Sequence, residues 1–192
     1  ENGTNSNGIS VVTETYDFTV TVTDHGNGVL TAVTNYPNGQ NQFEFVNQYG
    51  TEPVPVEITG SKTLAHDTSL TPADITGKFT FTLEALTEGA PMPAQTTAVN
   101  DAAGNVDFGR ITFTTDLLQD AITTDSGVRT KEFEYKVTES GSAAGVTNDA
   151  NASIGKIFKL TLTDDGNGNL TVTRNPADGP LFSFTNTYRV AE

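Results

Sequence analysis

The sequence predicts an all-β fold, a sandwich of two packed sheets, and three observations lead there. Apolar and polar residues alternate in runs such as Phe79-Thr80-Phe81-Thr82-Leu83 and Phe133-Glu134-Tyr135-Lys136-Val137, the period of two that a half-buried strand requires. Thr, Asn, Gly, Asp and Val dominate while helix formers are few, a mixture suited to strands joined by tight turns. Asp24-His25-Gly26-Asn27-Gly28 and Asp164-Asp165-Gly166-Asn167-Gly168 each read as a hairpin turn whose glycines supply positive φ.

Those two turns belong to a longer internal repeat. Thr23 to Thr31 is echoed by Thr163 to Thr171, and Phe43-Glu44-Phe45-Val46-Asn47-Gln48-Tyr49 by Phe182-Ser183-Phe184-Thr185-Asn186-Thr187-Tyr188, with one residue of slippage between the blocks. Only about fifty residues precede the end of the first copy, too few for a whole sandwich. Residues 1–50 are therefore expected to be the C-terminal strands of a truncated repeat (9–24, 28–35 and 42–49), and residues 51–192 a complete domain. Within the latter, alternation places strands at Val54–Thr59, Ser61–Ala65, Lys78–Ala85, Phe108–Thr115, Lys131–Ser140, Ser153–Asp164, Asn169–Arg174 and Pro180–Tyr188. Thr115–Ala121 reads as a helical turn and Leu86–Val99 as a long loop.

Composition narrows function. Ten Lys and Arg against 24 Asp and Glu give a formal charge of −14, which repels phosphate backbones and anionic headgroups, so neither nucleic acid nor a membrane surface is an expected partner. No run approaches a membrane-spanning length. Cysteine is absent, which excludes thiol catalysis, zinc–thiolate sites and disulfides. A secreted protein of this kind needs another means of stabilisation.

Parity supplies a candidate. Residues two apart on a strand share a face, so Glu139 continues the inward face of Phe133, Tyr135 and Val137, and Asn186 that of Phe182 and Phe184. Lys62 falls in phase with Val54, Val56, Ile58 and Leu64, unless Gly60 carries a bulge that breaks the count. Lysine, glutamate and asparagine in one apolar interior must satisfy one another. Burial favours the uncharged form of each ionisable group, and a neutral amine beside a carboxamide and a carboxylic acid can attack the carbonyl while the acid shuttles protons. The same parity also admits Lys131 and Lys156, a Glu139 emerging at a strand end, an Asn186 capping a turn, and a snorkelling Lys62.

Ser61-Lys62-Thr63-Leu64, Gly77-Lys78-Phe79-Thr80-Phe81-Thr82-Leu83, Phe133 to Glu139 and Phe184-Thr185-Asn186-Thr187-Tyr188 occur in an order that resembles the streptococcal-type pilin domains carrying isopeptide links. The resemblance implies an Ig-like, CnaB-type sandwich in which a first-strand lysine bonds to a last-strand asparagine with help from a glutamate on a central strand. Here these are Lys62, Asn186 and Glu139. Asn47 matches the asparagine of the first copy, whose lysine and glutamate counterparts fall outside this sequence. The implied role is a structural stalk or pilus-shaft module at a Gram-positive cell surface, anchored to the wall through other regions, with neighbouring repeats of the same chain as partners. Its only chemistry is a single-turnover cross-link, so it is not an enzyme and needs no cofactor.

Other constellations are weaker. The Asp-x-Gly-Asn-Gly turns lack the spaced acidic series of a calcium loop, and His25 and His66 stand alone, so no metal site is expected. No paired catalytic carboxylates or nucleophile motif supports a hydrolase. The alternative is a ligand-binding adhesin domain recognising a host protein or glycan through Leu86–Val99 or Leu117–Ser126, although no exposed aromatic cluster is expected for stacking on a sugar.

Overall fold

The computed structural model describes residues 3–72, 74–121 and 123–190. The chain forms two compact units, residues 1–50 and 51–192. The expected Leu117–Ser126 segment includes residue 122, which lies outside the described residues.

In the first unit, β1 (Ile9–Ser10) pairs antiparallel with β4 (Gln48–Tyr49), and β2 (Thr19–Asp24) with β3 (Leu30–Asn35). The predicted strands 9–24 and 42–49 are thus far shorter than alternation suggests. Residues 11–18 and 42–47 have the pattern of strands without a ladder to join, and a strand exists only through its neighbours' hydrogen bonds. Phe18, Val20, Val22, Leu30 and Val33 are exposed. Contrary to expectation, Tyr16, Phe18, Tyr36 and Phe45 gather around or beside Phe43 with ring centroids 5.1–5.5 Å apart, a partly exposed aromatic cluster.

The second unit is an Ig-like β-sandwich. Its strands are β5 (Val54–Ala65), β6 (Phe79–Ala85), β7 (Thr97–Val99), β8 (Asn105–Phe113), β9 (Arg129–Gly141), β10 (Val146–Thr147), β11 (Lys156–Asp164), β12 (Leu170–Asn175) and β13 (Ser183–Tyr188). One sheet runs β10-β13-β5-β8 and the other β12-β11-β9-β6-β7. First and last strands are neighbours, and they run parallel, with Phe184 opposite Lys62 and Asn186 opposite Leu64. Between the sheets lies a core rich in aromatic side chains, including Phe79, Phe81, Phe113, Phe133, Tyr135, Phe158 and Phe184, all fully buried.

Four differences from the sequence reading have identifiable causes. Val54–Thr59 and Ser61–Ala65 are one continuous strand, because the register shift against β8 between Glu57 and Thr59 leaves β5 unbroken. Gly60 serves packing: a Cβ there would fall inside the Phe182 ring. Leu86–Val99 is not a free loop, since its end forms the edge strand β7 on β6 and its middle is pinned by the Tyr135 hydroxyl, which donates to the Pro91 carbonyl at 2.9 Å. Finally, β11 begins at Lys156 rather than Ser153, because residues 149–155 are occupied by a turn in which Ala152 N–H donates to Asp149 O and Gly155 N–H to Asn151 O. The expected helical turn is a short 3₁₀ turn at Thr115–Leu118.

Candidate functional site

Lys62 and Glu139 reach one another from opposite sheets. Lys62 points inward from β5, and Glu139 from β9, the central strand of the five-stranded sheet. Lys62 Nζ lies 2.7 Å from Glu139 Oε2, and neither side chain is accessible to solvent. The parity of β5 survives the register shift, so Ile58, Gly60 and Lys62 are all buried. The ammonium also sits 4.7 Å above the Phe79 ring.

The pair is close and has no other partner. Beyond this contact neither Nζ nor either Glu139 carboxylate oxygen has a hydrogen-bond partner among the described residues, so the two form an isolated charge pair in the interior. Buried polar groups left in this state are costly. Burial pushes the Lys62 ammonium below the ordinary lysine range, opposed by Glu139 and more weakly by Asp149. Burial thus makes the free amine easier to reach than for a lysine in water.

Asn186 is fully buried on β13. It stands one strand over from Lys62 and two residues beyond the register partner Phe184. Strands about 4.8 Å apart with a rise of about 3.3 Å per residue put such diagonal positions roughly 8 Å apart at the backbone, within reach of a lysine side chain. The other lysines allowed by parity behave differently. Lys156 is part-exposed, 3.4 Å from Asp149, and Lys131 is part-exposed with its ammonium over Phe133. Both remain part-exposed, unlike Lys62.

Two features of the site lie in loops. Gly104 N–H donates to Asp101 O, and its own carbonyl accepts from Lys62 N–H at 2.6 Å. Gly104 has φ +84°, and a Cβ there would collide with the Lys62 carbonyl oxygen, so only glycine fits without strain. Gly104→Ala is expected to destabilise the domain by about 1–3 kcal/mol, measured as a lower unfolding midpoint. The second is the turn at Asn148–Ala152. Asp149 N–H donates to Asn186 Oδ1 at 2.7 Å, and the Ala152 carbonyl accepts from Glu139 N–H at 2.8 Å.

The remaining candidates lie apart. Asn47, in the first unit, accepts from Val12 N–H at 3.1 Å. In the hairpin turns Asp24, Asp164 and Asp165 accept backbone N–H groups of their own turns, and Asp164 also pairs with Arg129 at 2.6 Å. His25 faces Thr31 and His66 its neighbour Asp67.

Comparison with known proteins bears on this arrangement. No curated protein and no solved structure gives a significant match. The FctA family model, described as a Spy0128-like isopeptide containing domain, matches residues 1–50 and 58–189. Such domains are generally components of cell-surface pili, which places them outside the cell. The match spans nearly the whole sequence, Lys62, Glu139 and Asn186 included, and the chain belongs to this family of isopeptide-containing pilin domains.

Proposed function

We propose that residues 51–192 form a load-bearing module of a Gram-positive surface stalk, fibrillar adhesin or pilus shaft, in which folding closes an amide bond between Lys62 Nζ and Asn186 Cγ. The observation that carries this reading is the fully buried Lys62–Glu139 pair one diagonal step from Asn186. Lys62 passes a proton to Glu139, and the neutral amine attacks Cγ of Asn186. Glu139 then gives that proton to the departing nitrogen, ammonia leaves, and Glu139 takes up the second proton that Nζ sheds on becoming an amide. Proximity is supplied by strand pairing and proton transfer by Glu139. The products are one amide and one ammonia, so no external reagent is consumed.

The bond would tie the first strand to the last. Tension arriving along β5 would cross to β13 at the bond, and the residues between would carry little of it. The test is intact mass: the chain is expected to weigh one ammonia less than its sequence, and Lys62→Ala or Asn186→Ala to restore the full value. A full-mass chain that yields no linked 62–186 peptide on digestion ends this reading.

The first unit fits as a partial copy of the same module. Aligned on the repeat, Phe18, Val20, Val22 and Leu30 match Phe158, Leu160, Leu162 and Leu170. The latter four are buried, whereas the former are exposed. The Phe18–Phe43 contact at 5.5 Å likewise matches Phe158–Phe182 at 6.4 Å. The aromatic cluster of residues 1–50 is thus better explained as uncovered core than as a sugar-binding platform. Asn47 then occupies the place of Asn186.

A further inference from the structure

The reaction needs more than Lys62 and Glu139. When the amine adds to Cγ of Asn186, the carbonyl electron pair moves onto Oδ1, and the oxyanion on this buried side chain must be stabilised. A donor is already aimed there. The Asp149 N–H meets Asn186 Oδ1 at 2.7 Å, the length of a strong hydrogen bond.

We propose that the Asp149 backbone N–H is the oxyanion donor of the cross-linking reaction, held in place by its own carboxylate, and that Asn148 orients the departing amide nitrogen. This rests on the Lys62–Asn186 reading and extends it to residues that parity does not reveal.

The carboxylate braces the turn on both sides. Asp149 Oδ2 accepts from Thr185 N–H at 2.9 Å, the residue before Asn186 on β13, and Oδ1 accepts from Asn151 N–H at 2.8 Å. Lys156 Nζ stands 3.4 Å from Oδ1. Burial pushes the Asp149 carboxyl up, but the Thr185 and Asn151 donors and Lys156 together hold it below the usual carboxylate range, so the brace is charged at neutral pH. The same turn reaches the acid–base residue, because Ala152 O accepts from Glu139 N–H. One turn therefore sets the spacing between electrophile and proton shuttle.

Asn148 fixes which end of the carboxamide points where. Its Nδ2 donates to Gly141 O at 3.0 Å, which leaves its Oδ1 facing Asn186 Nδ2 at 3.5 Å. Flipping Asn186 would set its NH₂ against the Asp149 N–H, donor against donor, and its carbonyl against the Asn148 oxygen. The chain Gly141–Asn148–Asn186 thus turns Oδ1 to the donor and Nδ2 to an acceptor. On collapse of the tetrahedral intermediate the Cγ–Nδ2 bond breaks, Nδ2 takes the proton relayed by Glu139, and ammonia departs past the Asn148 oxygen. The N–H of Asp149 acts on a reacting atom, whereas its carboxylate and Asn148 are positioning groups.

The test is refolding of the full chain from denaturant, with ammonia loss followed by intact mass and the folded fraction by near-ultraviolet circular dichroism. Asp149→Pro deletes the N–H and is expected to slow bond closure among folded molecules by about 100-fold. Asp149→Ala keeps the N–H but frees the turn, with an expected loss of about 10-fold, and Asp149→Asn, which keeps an acceptor for Thr185, recovers most of it. Asp165→Ala, in the hairpin turn at the other end of β11, closes at the wild-type rate. Should Asp149→Pro fail to fold, the contrast between alanine and asparagine decides. Closure in Asp149→Ala as fast as in wild type, or slowing wholly accounted for by the folded fraction, overturns this proposal and leaves the Lys62–Asn186 reading standing. A wild-type chain that never loses ammonia overturns that reading itself.

Discussion

Lys62→Met is expected to lower the unfolding free energy of the 51–192 domain by about 4–5 kcal/mol and its thermal midpoint by about 10–20 °C. The first figure comes from chain entropy: the bond joins positions 124 residues apart, and cross-linking so long a loop removes much of the unfolded chain's freedom, if the relation known for disulfides carries over. Methionine keeps an apolar stem near Phe79 while removing the amine, so packing changes little, and the measured difference reports the bond together with the loss of the buried partner of Glu139. Asn186→Ala is expected to lose as much and somewhat more, because it also leaves the part-buried Asp149 N–H without its acceptor. Scanning calorimetry of both variants beside the wild type checks this. A midpoint within a few degrees of wild type in Lys62→Met would mean that the wild-type domain draws no stability from a cross-link.

Glu139→Gln is expected to slow bond closure by about 100- to 10,000-fold, the usual worth of a positioned acid–base group. Glutamine nearly preserves the shape of the side chain, but it neither takes the Lys62 proton nor delivers one to the leaving nitrogen. It also leaves the buried ammonium without a counter-charge, a change that typically costs about 3–5 kcal/mol when one partner of a buried pair is removed. The variant should therefore accumulate as a folded, full-mass and less stable species. Mass measured at intervals after refolding reads the rate directly. Complete closure on the wild-type time scale would show that Glu139 serves only as the charge partner of Lys62.

Much of this site is legible in the sequence, for a physical reason. A strand repeats every two residues, so a charged residue in phase with apolar neighbours is marked as inward-facing wherever it falls, and Glu139, Asn186 and Lys62 are all buried where parity places them. Parity fails on two kinds of feature. It cannot rank Lys62 above Lys131 and Lys156, because all three start on an inner face and only the three-dimensional surroundings separate them. It is also silent on turns. Asn148 and Asp149 lie between the two-residue strand β10 and β11, where no period exists, and the contribution proposed for Asp149 comes from a backbone N–H that every residue but proline possesses. The closest signal is the Asn-Asp-Ala-Asn composition of residues 148–151, typical of side chains that bond nearby backbone. In residues 1–50 the pattern outruns the ladder: alternation from Tyr16 to Asn47 describes faces, and without sheets to cover them only short pairs of strands form.

The parallel pairing of β5 with β13 fixes where the polypeptide enters and leaves the domain. Two strands that lie side by side and point the same way carry the chain in at one pole and out at the other. β5 has 12 residues, which at about 3.3 Å each spans about 40 Å. A series of such domains can be threaded like beads without any connector doubling back along a bead. In the proposed stalk each copy would add about 40 Å of reach, and its length would be a matter of how many copies are strung together.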